Sequence, residues 1–167
     1  MSLTHKYSLS IAAVSLTGFA SNATGATWAL TATAATDGLA HKVSIKNDSA
    51  TDHSGKTAVL TGTDADGRAQ TETVALPGTS ATIESLYYYK TLTSVVPSAT
   101  IGADTMDIGW VDEVASKSIM LNRHSFSEAM VQVDVTGTIN YAIQVTIAAR
   151  GGWDNQKAAP WISTRTT

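Results

Sequence analysis

Apolar and polar residues alternate with a period of two along most of this chain, the spacing of half-buried strands rather than of helices. In residues 7–16, Leu9, Ile11 and Ala13 alternate with Ser8, Ser10 and Ala12, and Gly18 is expected to end that strand. Residues 26–34 put Trp28, Leu30 and Ala32 on one face, with Thr27, Thr31 and Thr33 towards the other. A third strand over 39–46 sets His41, Val43 and Ile45 against Lys42, Ser44 and Lys46, so it has one wet face. The polar run 47–55 then reads as an exposed loop.

The most informative stretch is 57–96. Asp66-Gly67 lies between two Thr-rich strands, where Asp-Gly supplies the positive φ of a hairpin, and Pro77-Gly78 closes the second strand. Residues 82–96 are apolar for too long to be one flat strand, so a bend is expected near Tyr87, Tyr88 and Tyr89. A short strand over 101–111 follows, ending around Trp110. Residues 112–128 are less regular, with 117–121 as a strand candidate, and 131–147 alternate so regularly about Thr136-Gly137-Thr138 that a second hairpin is predicted. Periodicity is lost from Arg150, leaving Trp153 and Trp161 in a polar tail. No helical period and no fixed repeat is visible.

Close strand spacing with turns between predicts an all-β fold, an antiparallel β-sandwich. With 167 residues the chain is expected to form one domain over 1–149, with a weaker boundary within 112–128, followed by an extended arm over 150–167. Charged residues make up 15% and the net charge is −3 with Lys and Arg scattered, which argues against a nucleic-acid partner. No run reaches the ~18 apolar residues of a spanning helix, so no membrane partner is expected. The run 9–14 loosely imitates a secretory signal, but Ser8, Ser10, Ser15 and Thr17 interrupt it, and a strand is the better expectation. Without cysteine there is no disulfide framework and no thiolate metal site.

Candidate chemistry is sparse. Asp64-Ala65-Asp66-Gly67 resembles the start of a calcium loop, but Ala75 stands where the bidentate acid belongs, so a turn is expected instead. His5, His41, His53 and His124 lack the paired spacing of a zinc site and are expected to be solvated or singly hydrogen-bonded. Asp104/Asp107 and Asp112/Glu113 read as loop acids, and no nucleophile elbow or phosphate loop occurs. Neither a catalytic residue nor a metal or other cofactor is therefore expected. Of the tyrosines, Tyr88 is expected in the core, with Tyr87 and Tyr89 covering a sheet edge or subunit contact. Trp153 and Trp161 are expected to act as interface anchors in the tail.

The segments VLTGTDADGRAQTETVALPGTSATIESLYYYKTLTSV and MVQVDVTGTINYAIQVTI, with the Trp-containing tail, resemble small structural proteins encoded among the virion genes of tailed bacteriophages. That resemblance implies a β-sandwich or jelly-roll-like body and a capsid cement or decoration role on the virion surface. It implies as partners the major capsid protein and further copies of the chain itself, and supplies no catalytic residues. Head-to-tail connectors and tail proteins are the alternative within the same setting. A carbohydrate- or receptor-binding module is the alternative outside it, distinguished by aromatics gathered in one concave site.

Overall fold

The computed structural model describes residues 8–118, 141, 143–145 and 162–164. Among these every regular element is a strand and every strand pairing is antiparallel, so the described part of the chain is all-β. The chain divides into two compact units, Met1–Met120 and Leu121–Thr167. Seven strands lie in the first unit: β1 (Ser15–Ala23), β2 (Ala40–Asn47), β3 (Thr57–Thr63), β4 (Ala69–Ala75), β5 (Thr82–Tyr89), β6 (Thr91–Pro97) and β7 (Met106–Ala115). They form a four-stranded sheet of order β1-β7-β2-β5 and a three-stranded sheet of order β4-β3-β6. In the second unit β8 (Ile143–Val145) pairs with β9 (Ile162–Thr164).

The alternation of β2 sets the larger sheet's inner face. His41, Val43 and Ile45 are fully buried, and Val43 and Ile45 join Phe19, Tyr89, Ile108 and Trp110 of neighbouring strands in one hydrophobic cluster. Leu60, Leu92 and Val95 of the smaller sheet belong to the same cluster. Burying side chains of this size stabilises by about 1.5–3 kcal/mol each, which makes the cluster the main source of cohesion.

The hairpin at Asp64 to Arg68 forms as its Asp-Gly signal predicts. Gly67 has φ 83, and Asp64 Oδ1 accepts from the backbone N of Asp66 at 2.9 Å and of Arg68 at 2.8 Å. The bend in 82–96 falls at Lys90, where the chain passes directly from β5 in one sheet to β6 in the other.

Three expectations are corrected. The first strand begins at Ser15 and runs through Gly18, because the Trp110 ring packs flat over that residue: an added Cβ there would lie 2.0 Å from the ring. Residues 26–34 form no strand. Trp28 is buried and makes a single bridge to Val95, while the backbone around it bonds to both sheets: Thr31 N donates to Phe19 O at 2.8 Å and Leu92 N to Thr33 O at 2.8 Å. The strand expected to end at Trp110 runs on to Ala115, because beyond its last β1 partner, at Trp110, it still pairs with β2 through His41↔Val114 and Ala40↔Ala115. Of the predicted hairpin over 131–147, all but 141 and 143–145 lies outside the described residues; the described partner of Ile143–Val145 is Ile162–Thr164, within the segment expected as an aperiodic arm.

Candidate interaction surfaces

The tyrosine run sits where an edge of each sheet comes together. Strand β5 bulges at Ser85 to Tyr87, shown by the jump in register between Lys42↔Tyr88 and Ser44↔Glu84. Ser85 fills the gap, its hydroxyl accepting from Val43 N at 2.8 Å and donating to Tyr87 O at 2.6 Å. The bulge turns two N–H groups away from the β2 ladder, and a carboxylate on the other sheet takes both. Glu72 of β4 accepts from Leu86 N at 2.7 Å and from Tyr87 N at 3.1 Å, and Gln70 Nε2 donates to Tyr88 O at 2.6 Å. Glu72 stands opposite Leu60 and so points inward, which is how an edge strand is kept from pairing with another chain.

The tyrosine assignments are therefore reversed. Tyr89 is 0% exposed in the core and Tyr87 is half-buried against it, whereas Tyr88 pairs with Lys42 on the outer face. Counting alternation from Ile83 gives this result; taking Leu86 as an inward residue spoils it, because Leu86 is 72% exposed at the bulge crest. Tyr89 therefore presents no surface for the contact expected of it, while Tyr87 keeps part of its surface exposed. Trp153 and Trp161 lie outside the described residues.

Tyr88 belongs to a charged patch on the outer face of β2, β5 and β7. Its hydroxyl donates to Glu113, whose other oxygen is 2.8 Å from Lys42 Nζ, and that ammonium lies 5.7 Å from the Tyr88 ring centroid. Hydrogen bonds from Lys42 and Tyr88 hold the Glu113 carboxyl below its usual range. Burial, then the Glu113 carboxylate, pushes the Tyr88 phenol well above its own. Lys46 pairs with Asp48 at the far end of the same face.

The outer face of the three-stranded sheet is chemically different. Register places Thr57 beside Ala75, Val59 between Thr73 and Val96, Thr61 between Thr71 and Ser94, and Thr63 between Ala69 and Thr91. No charged residue occurs among these positions, and none is buried. The hydroxyls of Thr63 and Thr91 bond to each other at 2.6 Å, and Thr93 Oγ1 donates to Thr61 O at 2.9 Å. Three strands of seven residues, at ~3.4 Å per residue and ~4.8 Å between strands, outline a face of roughly 340 Å².

Two histidines depart from expectation: His41 and His53 are both buried and bonded through both ring nitrogens, while His5 and His124 lie outside the described residues. His53 Nε2 is 3.0 Å from Asp104 Oδ2 and its Nδ1 is 3.3 Å from Lys56 Nζ, which also donates to Thr100 O at 2.9 Å. An ammonium can only donate, so Nδ1 accepts and Nε2 donates: the ring is neutral and staples two loops. Among the described residues no group of three or more His, Cys, Asp or Glu is placed to hold a metal ion.

No protein-family model, curated protein or solved structure matches the chain.

Proposed function

We propose that this chain is a non-enzymatic structural protein of a tailed-phage virion, binding the outside of the capsid as a cement or decoration protein. The observation that carries the reading is the uncharged Thr and Val face of β4-β3-β6 on a body whose sheet edges are engaged. On one side Gln70 and Glu72 bind β5; on the other the segment around Trp28 bonds to Phe19 of β1 and to Leu92 and Val95 of β6. Engagement of the β5 edge by Gln70 and Glu72, and of β1 and β6 by the segment around Trp28, favours contact through faces over addition of strands there. One hydrophobic cluster fed by both sheets supports taking them as the two layers of a sandwich, in keeping with the jelly-roll-like body that the resemblance implies.

An interface of standard size buries about 800 Å² per partner, so a face of roughly 340 Å² is weak alone. A repeating shell compensates for that weakness, since self-association with closed symmetry lets linked copies engage several shell subunits together. Hydroxyls that both donate and accept suit contact with a protein surface without demanding a charge partner. The sugar-binding alternative loses support from the run 87–89, because, of its three tyrosines, Tyr88 faces outward and its ring and hydroxyl are already engaged by Lys42 and Glu113.

The test is co-sedimentation of the purified chain with capsids of the phage that encodes it, beside Thr61→Lys and Thr73→Glu variants. The reading expects wild-type chain to pellet at hundreds of copies per particle and both variants to stay in solution while folded. Saturation at about six or twelve copies would instead indicate a connector or tail ring. Undiminished binding by both variants would remove the uncharged face from the interaction.

A further inference from the structure

The second buried histidine sits in the opposite environment to His53. His41 is fully buried, with Nδ1 2.6 Å from the carbonyl oxygen of Val111 and Nε2 2.9 and 3.0 Å from the two carboxylate oxygens of Asp37. A carbonyl oxygen can only accept, so Nδ1 carries a hydrogen. The proton between Nε2 and Asp37 then belongs either to the ring or to the carboxyl.

Asp37 decides between them. Its Oδ2 also accepts from Ala12 N at 2.7 Å and its Oδ1 from Leu39 N at 2.9 Å. Each of these bonds favours the ionised carboxylate and leaves less room for a carboxyl hydrogen. Burial opposes the charge, but the bonds from Ala12, Leu39 and His41 outweigh it and hold the Asp37 carboxyl below its usual range.

Other charges around the pair do not change this balance. On β5, Tyr89 stands opposite His41 with its phenol pushed upward by burial and by Glu72, so it is neutral at ordinary pH. On β7, Val114 is opposite and the Trp110 ring lies 6.2 Å away; of the nearby acids, Glu113 is committed to Lys42 and Tyr88, and Asp112 is solvent-exposed. Residues 8–14 contain no titratable side chain.

We infer that His41 carries a proton on each ring nitrogen and, with Asp37, forms a buried charged latch that holds the segment 8–14 to the body and releases it in acid. Burial does little to hold that segment, because Leu9 is 49%, Ile11 38% and Val14 49% exposed. Its ties to the described body are the Ala12 bond to Asp37 and a bond of 3.0 Å from Trp110 Nε1 to Ala13 O. Protonating Asp37 puts a hydrogen on a carboxyl whose oxygens already accept from Ala12, Leu39 and His41, and leaves the imidazolium without a counter-charge. Since the folded carboxyl lies below the unfolded value of about 3.9, the carboxylate's contribution to the latch is complete above that pH and is lost as pH falls through the folded value.

The test uses the full chain labelled with ¹⁵N. At pH 7, long-range imidazole correlations should show both His41 nitrogens protonated; a bare ring nitrogen at His41 would overturn the inference. Amide exchange protection at Ala12, corrected for intrinsic rates, should fall about tenfold, the worth of one hydrogen bond, before Val43 and Ile45 lose theirs on acidification. Ala12 opening only together with the core, or lacking protection already at pH 7, would overturn it too. Asp37→Ala, which leaves no acceptor, should free Ala12 at neutral pH; if that variant does not fold, the wild-type measurements decide alone.

Discussion

Replacing Glu72 with alanine tests the clasp between the sheets directly. The carboxylate takes Leu86 N at 2.7 Å and Tyr87 N at 3.1 Å, and hydrogen bonds to a charged group are worth about 1.5–3 kcal/mol each when shielded. Leu86 is 72% exposed, so its N–H regains water on mutation and contributes little to the loss. Tyr87 is half-buried and its N–H is not as easily resolvated. The expected net cost is about 2–3 kcal/mol, a sizeable share of the 5–15 kcal/mol that holds a typical domain together. In urea, with a slope of about 1–3 kcal/mol per molar, the unfolding midpoint followed by tryptophan fluorescence should fall by roughly 1 M. Glu72→Gln should be intermediate, because its amide keeps one acceptor but turns a donor towards the other N–H. A midpoint for Glu72→Ala within about 0.2 M of wild type, with unchanged exchange protection at Tyr87, would refute the argument.

Gly18→Ala should cost about 1–3 kcal/mol, read as a lower urea midpoint with altered tryptophan emission, because the new methyl meets a Trp110 ring already fixed by Ala13 and by edge contact with Phe19. Leu86→Asn should leave stability within about 0.5 kcal/mol, since backbone bonds rather than its exposed side chain hold the bulge. In alkaline titration followed by tyrosinate absorbance, Tyr88 and Tyr89 should ionise well above the ordinary value of about 10. Their neutral forms are favoured in the fold, so the stability they add is present below that pH and disappears as pH rises towards the folded values; Tyr88→Phe should remove one part of the delayed signal.

Much of the first unit is written in local pattern. The β3–β4 hairpin follows from Asp66-Gly67, the inner face of β2 (His41, Val43, Ile45) follows from alternation although Ser44, expected on the wet face, is fully buried, and the bend before β6 follows from an apolar run longer than one strand. What escapes local reading depends on distant partners. Gly18 looks like a strand terminator until Trp110, far along the chain, is seen to need the space above it. Trp28 and Leu30 alternate like a strand, yet that segment spends its bonds on two sheets at once. The donor or acceptor role of each buried histidine is set by a β7 carbonyl, a lysine or an acid brought in by the fold. Glu72 did leave a trace: in Gln70-Thr71-Glu72-Thr73-Val74 it shares the parity of buried Val74, an inward charge typical of a protected edge.

The strand order also sets a timetable for synthesis. Strand β1 pairs only with β7, which ends at Ala115, so the earliest strand waits for the last strand of its sheet. About 90 residues separate their ends, and at 5–20 residues per second a nascent chain carries β1 without its partner for roughly 5–20 s. Over that interval the β3–β4 hairpin can form from neighbouring residues, while Phe19 and the rest of β1 remain exposed to whatever meets the emerging chain. A ribosome paused between β6 and β7 would therefore hold a half-built body with an uncovered apolar strand, and chaperone capture should be strongest at that stage.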